Sequence, residues 1–262
     1  MKNIGLILFD IDGVIRSVEN SYRLSLKKTV YKFCGWEPSY IDIDRAKNEG
    51  IWNNDWDLSL ELIKRYIKKE NLNLDIPSRK KIIKCFEEFY FGVDPNKDSK
   101  YWNGFITNEE LLVDKKFFDL LQSNGIIWGF VSGAEHASAK FVLENRLGLK
   151  SPPLISMGDA PDKPNPKGFI DLSKKLLGDK LGLSNFPIAY VGDTIADVNT
   201  VINARKEIPF QKFISIGLAP PHLHIKSRLK ERKSYEENLR NAGADLILNS
   251  IYDLKNVNLN LF

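Results

Sequence analysis

Cysteine is scarce in this 262-residue chain: Cys34 and Cys85 are its only two. They are far apart and set among helix-like residues, which fits neither a disulfide framework nor a zinc cluster, so buried free thiols are expected. Histidine is nearly as rare, with three. Two of them, His222 and His224 in PPHLHIK, have no cysteine or acid beside them and read as surface-loop residues rather than a metal pair. No apolar run approaches the ~18 residues of a membrane span. The short run near the N-terminus is interrupted by Asp10 too early for a signal-peptide core. A cytoplasmic protein with no membrane partner is expected. Charge of one sign is missing as well: 38 basic and 34 acidic residues leave a net +4, spread along the chain without a dominant block. No nucleic-acid partner is expected. The run KSRLKERKSYEENLR interleaves acids among its bases and reads as a solvent-facing helix. There is no internal repeat or low-complexity tract, and nothing in the pattern specifies an oligomeric state.

With 43% hydrophobic and 27% charged residues, the chain can bury one large core or two modest ones. Residues 4–9 (IGLILF) form a short continuous apolar run, the pattern of a strand buried on both faces of a parallel sheet. From about residue 18 to 107, apolar residues recur at helical spacing in SYRLSLKKTVYKF, DWDLSLELIKRYIKK and SRKKIIKCFEEFYFG, with no strong strand among them. Beyond residue 110, helices alternate with short apolar strands at 126–131, 154–157, 187–193, 213–217 and 245–248. The pattern predicts an α/β fold: a Rossmann-like doubly wound parallel sheet, residues 1–17 and 108–262, carrying an inserted helical domain at 18–107.

In such a sheet, ligands bind outside the carboxyl ends of the strands. The residues found there are DIDG after the first strand, SGAEH after the second and GDTIAD after the fourth, with DKPNPKG a few residues beyond LISM. Acids, a hydroxyl and a lysine therefore converge on one edge.

Taken together and in this order, these segments resemble the four motifs of the haloacid dehalogenase-like superfamily, most of whose members are phosphatases. DIDGV resembles the first motif, Ser132 in FVSGA the second, Lys163 in DKPNP the third and VGDTIAD the fourth. The resemblance covers residues 4–15 and about 108–252, and the helical insertion resembles the family's commonest cap domain. It implies that Asp10, Asp193 and the main-chain carbonyl of Asp12 bind Mg²⁺, with Asp197 supporting the metal directly or through water. It also implies that Ser132 and the Gly133 amide hold phosphate oxygens.

The residue types support such chemistry. Strand side chains two apart share a face, so Asp10 and Asp12 can approach one substrate, and Gly13 then permits a sharp exit. An ionised carboxylate can attack phosphorus and form an aspartyl-phosphate, the role open to Asp10. A second carboxyl group can protonate the leaving alcohol and then take a proton from water, the role open to Asp12. The bland alternative is that both acids cap a following helix. For Asp197 it is a first-turn acid favoured by the helix dipole. Lys163 would balance charge on Asp10 and phosphate; its rival is Lys167, and the Lys-Pro-x-Pro context favours Lys163.

In the insertion, Asn53, Asn54 and Asp55 are candidates for substrate selection, while Trp52, Trp56, Tyr66, Phe89 and Tyr90 read as helical-domain core. Arg16 is open to either a substrate contact or a surface role. The expected function is hydrolysis of a small phosphorylated metabolite with Mg²⁺. Two alternatives stand beside it: a phosphomutase or phosphotransferase using the same residues, and a non-catalytic phosphate-binding or signalling protein.

Overall fold

The computed structural model describes residues 4–47, 49, 51–52, 54–182 and 186–256. The chain divides into two compact units, Met1–Ser17 with Leu111–Phe262, and Val18–Glu110.

The second unit is helical, with α1 (Tyr22–Cys34), α2 (Tyr40–Lys47), α3 (Asp55–Lys69) and α4 (Arg79–Tyr90). Its core follows helical spacing: Leu26 and Val30 from α1, Leu58, Leu62 and Ile63 from α3, and Ile82, Phe86 and Tyr90 from α4 are buried. α1 packs against both α3 and α4, and Tyr22 stacks on Tyr90 with ring centroids 4.2 Å apart. Gly35 ends α1 at φ 74, the left-handed conformation a helix stop favours. Of the five aromatics expected in this core, only Tyr90 is fully buried. The rings of Trp52, Trp56, Tyr66 and Phe89 are half-buried at the rim. They find partners there instead: Tyr66 stacks on Trp36 at 4.9 Å, and the Trp52 indole N–H donates to Glu49 at 2.8 Å. Tyr and Trp have an apolar body and a polar handle, which suits a boundary, and Phe89 stacks on Phe105 at 6.1 Å. Cys34 and Cys85 are buried and free.

The first unit is built on a six-stranded sheet: β1 (Gly5–Phe9), β2 (Ile126–Val131), β3 (Leu154–Ile155), β4 (Ile188–Gly192), β5 (Phe213–Leu218) and β6 (Leu246–Leu248). The strands lie in the order β3-β2-β1-β4-β5-β6, and every pairing is parallel. Period two explains why β1 is apolar throughout. Ile7 and Phe9 enter one core with Phe117, Phe118 and Phe130, whereas Leu6 and Leu8 enter the opposite one with Phe169, Leu172 and Val201. Each such buried side chain contributes about 1.5–3 kcal/mol. The helices α5 (Lys115–Ser123), α6 (His136–Lys140), α7 (Lys167–Leu177), α8 (Ile195–Glu207) and α9 (Leu229–Asn241) complete the unit. Helix α9 is the KSRLKERKSYEENLR segment; it is largely exposed, with Leu239 buried. His224 is exposed too, its Nε2 2.8 Å from the Ala219 carbonyl oxygen. No described helix is long and apolar enough to cross a membrane.

This order places a topological switch between β1 and β4, where the chain first runs outward on one side and then on the other. The crevice at the carboxyl ends of these two strands is where such sheets bind ligands.

Candidate active site

Asp10 follows β1 directly and stays in the sheet's ladder, its amide donating to the Val191 carbonyl at 2.9 Å. The chain then curls tightly. The amides of Val14, Ile15 and Arg16 all point at the Ile11 carbonyl, at 3.3, 2.8 and 3.1 Å. Gly13 sits in this turn at φ 77, and a β-carbon there would lie 2.0 Å from Asp193 Oδ2. Glycine is thus required twice, by the backbone angle and by the approach of the second acid. Gly192 has the same function for the third acid, since its β-carbon would lie 2.2 Å from that of Asp197.

Three carboxylates meet in the crevice: ligand oxygens of Asp10, Asp193 and Asp197 all lie within 4.8 Å of one another, and all three residues are buried. Asp197 is held at both oxygens. Oδ2 accepts from the Thr194 amide and hydroxyl, at 2.9 and 2.6 Å, closing a capping box at the start of α8. Oδ1 lies 2.5 Å from Lys163 Nζ. Asp197 is therefore a first-turn helix acid, as its alternative has it, but the same carboxylate also faces the lysine.

Lys163 bridges the cluster, its Nζ also 3.0 Å from Asp10 Oδ2. It donates to the Tyr190 hydroxyl at 3.3 Å, which donates in turn to the Val131 carbonyl at 2.6 Å. Lys167 is exposed and pairs with Asp171 one turn along its own helix at 2.8 Å, so Lys163 is the lysine that reaches the acids. Ser132 is buried, tied to β3 through its amide and the Ile155 carbonyl at 2.9 Å. Gly133 beside it is exposed, with open space where a β-carbon would stand.

The electrostatics are unbalanced, with one ammonium against three carboxylates. Burial raises the Asp10 carboxyl to about 6; Lys163 works against the rise, while Asp197 and Asp12 add to it. Burial, with Asp197 and Asp10 beside it, holds the Asp193 carboxyl well above the ordinary range. Burial alone would lower the Lys163 ammonium, but Asp10 and Asp197 overcome it and hold the group protonated well beyond its usual range. An all-oxygen, net-negative, buried cluster has the donor set that hard divalent cations such as Mg²⁺ take.

Asp12 stands apart from that cluster and is paired with Arg16, Oδ1 to Nε at 2.7 Å. Arg16 is 0% exposed. Neither a surface role nor an exposed substrate contact fits, because the turn folds the guanidinium inward onto the carboxylate four residues earlier. Tyr235, in a helix that reads as uniformly charged, donates to the Asp193 carbonyl at 2.8 Å. Tyr190 and Tyr235 carry no motif signal; only the fold brings them to the acids.

In the helical unit, Asn54 caps α3, its Oδ1 accepting from the amides of Trp56 and Asp57 at 2.9 and 3.3 Å. Asp55 pairs with Lys47 at 2.7 Å. Asn53 lies outside the described residues.

A doubly wound parallel sheet thus carries a buried acid cluster at its switch point, with a lysine across it and a serine on the neighbouring strand. The chain belongs to the haloacid dehalogenase-like hydrolases, whose family model matches residues 4–205. Among solved structures it is similar to the phosphatase Tt82 from Thermococcus thioreducens, with 22% identity, 81% of this chain and 92% of that one covered, and a TM-score of 0.60. It is also similar to a haloacid dehalogenase-like protein from Agrobacterium tumefaciens, with 16% identity, 96% of each chain covered and a TM-score of 0.63. At such identities the likeness is one of fold. A curated relative, imidazoleglycerol-phosphate dehydratase from Phytophthora nicotianae, is 29% identical over 247 residues, 92% of this chain. The chain spans about half that relative's length, at 49%.

Proposed function

We propose that this protein is a Mg²⁺-dependent phosphatase of small phosphorylated metabolites, working in the cytoplasm through an aspartyl-phosphate. The observation that carries this reading is the convergence of Asp10, Asp193 and Asp197 within 4.8 Å, with Lys163 3.0 Å from Asp10, at the carboxyl end of β1.

In the proposed reaction, a carboxylate oxygen of Asp10 attacks phosphorus while the bond to the leaving oxygen breaks. Asp12 gives its proton to that departing oxygen. Asp12 then takes a proton from water, whose oxygen attacks phosphorus as the acyl-phosphate O–P bond to Asp10 breaks, releasing phosphate and restoring both acids. Ser132 and the Gly133 amide would hold the phosphoryl oxygens, and Lys163 would offset the charge gathering on them. Asp10, Asp193 and the Asp12 carbonyl would hold Mg²⁺, with Asp197 behind them, its oxygens engaged by Lys163 and Thr194. When bound, the ion offsets repulsion between the carboxylate and the phosphate dianion. The helical unit, in this reading, is a cap that selects the leaving group and excludes water.

The relative named for a dehydratase of imidazoleglycerol phosphate suggests which esters to try first. Phosphates of small imidazole-bearing or amino alcohols, histidinol phosphate among them, belong in the panel with sugar phosphates, phosphoglycolate and nucleotides. The test is a turnover screen of the purified chain over that panel, with Mg²⁺ and with EDTA. Multiple turnovers of an ester in Mg²⁺, abolished by EDTA, are expected. Stoichiometric binding without turnover would reject an enzyme, and full activity in chelator would reject the metal.

A further inference from the structure

Arg16 is among the largest side chains in the protein with no exposure at all. Arginine is almost never fully buried unless paired, and here Nε meets Asp12 Oδ1 at 2.7 Å. The backbone locks the same two residues: the Arg16 carbonyl accepts from the Gly13 amide at 2.8 Å, and Asp12 and Arg16 form an isolated β-bridge. Asp12 differs from the other acids of the site. Its side chain is 30% exposed, against 8% for Asp10 and 2% for Asp197. Lys163 serves Asp10 and Asp197, so the site contains two separate cation–carboxylate systems, one around the candidate nucleophile and one around the candidate acid–base group.

We propose that Arg16 is the positioning residue for Asp12, fixing the carboxyl group that exchanges a proton first with the leaving alcohol and then with water; this rests on the phosphatase reading above. A partly exposed carboxyl group on its own samples several rotamers, and proton transfer in the transition state needs one. A guanidinium supplies a rigid, directional partner, which an ammonium on a flexible stem does not. Swinging Asp12 away would cost the fully buried guanidinium its 2.7 Å partner at Nε, so the pair is a fixed support and not a resting latch.

The test compares Arg16→Met, Arg16→Lys, Asp12→Asn and the Arg16→Met/Asp12→Asn double variant in the full chain. Each is assayed with an alkyl phosphate and with p-nitrophenyl phosphate. The alkoxide needs a proton to depart and the nitrophenolate does not. Arg16→Met should therefore lower kcat/KM about 30- to 100-fold on the alkyl ester but less than about 5-fold on the aryl ester. Arg16→Lys should recover part of the loss, and the double variant should be no slower than Asp12→Asn alone. Mg²⁺ should raise the melting temperature of every variant by as much as that of the wild type, since the other three acids are untouched. Equal losses on both esters, or a double variant slower than Asp12→Asn, would overturn the proposal. If Arg16→Met does not fold, Arg16→Lys and Arg16→Gln carry the same ester comparison. A wild-type chain that turns over no ester overturns the phosphatase reading and this proposal with it, whereas a turning-over wild type with ester-independent losses overturns this proposal alone.

Discussion

The α/β unit and the helical unit differ in the charge they bury. Both carry ion pairs in solvent; in the helical unit Arg79 with Asp57, and Lys32 with Glu88, have side chains 41–52% exposed. Such pairs are worth at most about 1 kcal/mol. In the α/β unit the pairs around Asp10 and Asp197 are withdrawn from water, where desolvation can exceed the Coulombic gain. A fold seeking stability alone gains little from burying three carboxylates and one lysine together. Among its described residues the helical unit also holds a mostly buried pair, Arg23 with Asp44 at 2.6 Å, and one buried carboxylate, Glu109, that accepts from the Ser21 and Tyr90 hydroxyls at 2.8 and 2.9 Å, but it has no described cluster of three acids like that of the α/β unit. The excess negative charge of that cluster is what the proposed cation would offset.

The strongest way to break this contrast is Asp10→Asn. Turnover should fall by at least about 10³-fold, or ~4 kcal/mol of barrier, because the amide keeps the shape and loses the nucleophile. Stability should hold or rise, since a buried acid is replaced by a neutral isostere. A variant with near-wild-type turnover would remove Asp10 as the attacking group. Next in size is Gly13→Ala. The added methyl meets Asp193 Oδ2 at 2.0 Å, and the φ of 77 is one that alanine resists, so a loss of about 1–3 kcal/mol in stability is expected, with turnover reduced because Asp193 must move. Chemical denaturation and a turnover assay measure the two effects, and a fully stable, fully active alanine variant would contradict the packing at this turn.

The strands and the motifs that follow them are legible in the sequence because both have local causes. A parallel strand buried on both faces is apolar without interruption, and the polar residues after it stand out. The choice of Lys163 over Lys167 is legible only through the Lys-Pro-x-Pro context of the motif; the structure adds that Lys167 pairs with Asp171 on the helix surface at 2.8 Å. Arg16 is not legible, because arginine near a loop is exposed far more often than buried, and only the three amides converging on Ile11 fold it inward. Tyr235 is out of reach as well. Its helix has a charged surface, and its contact to Asp193 spans 42 positions of sequence. Asn54 had a usable signal that the aromatic-rich NNDWD pattern obscured: asparagine followed by two acids in the first turn, before an apolar period, is an N-cap.

The excess charge should also appear as a pH dependence. Asp10 is raised from 3.8 to about 6, so the folded chain keeps this proton over a range where the unfolded chain has lost it. The group therefore favours folding below about pH 4, and that contribution is lost as pH rises through about 6. Asp193, also raised, adds in the same direction. In EDTA the melting temperature of the wild type relative to Asp10→Asn should fall by roughly 5 °C from pH 4 to pH 7. Mg²⁺ at pH 7 should recover it, because cation binding favours the deprotonated cluster. A difference that stays flat or rises with pH would mean that the acids are balanced without a cation.

The smallest effect sharpens the contrast from the helical side. The side chain of Asn54 satisfies two amides that the first turn of α3 cannot pair internally. Asn54→Ala should thus cost about 1 kcal/mol, or ~2–4 °C in melting temperature, and Asn54→Asp should restore it, because a carboxylate accepts the same bonds and favours the positive end of the helix. If Asn54 acts only as a cap, kcat/KM changes by the same small factor for p-nitrophenyl phosphate and for each metabolite ester that the chain hydrolyses. If it also selects substrate, as the NNDWD pattern suggests, one metabolite ester should lose about 5- to 150-fold while the generic ester is spared, the cost of one hydrogen bond of about 1–3 kcal/mol to a leaving group. Asp55→Asn provides the control on the neighbouring position. It removes a charge paired with Lys47 at 2.7 Å without touching the cap, so a shift in ester preference shared by both variants points to the loop facing substrate, and a stability loss confined to Asn54→Ala assigns the residue to the helix alone.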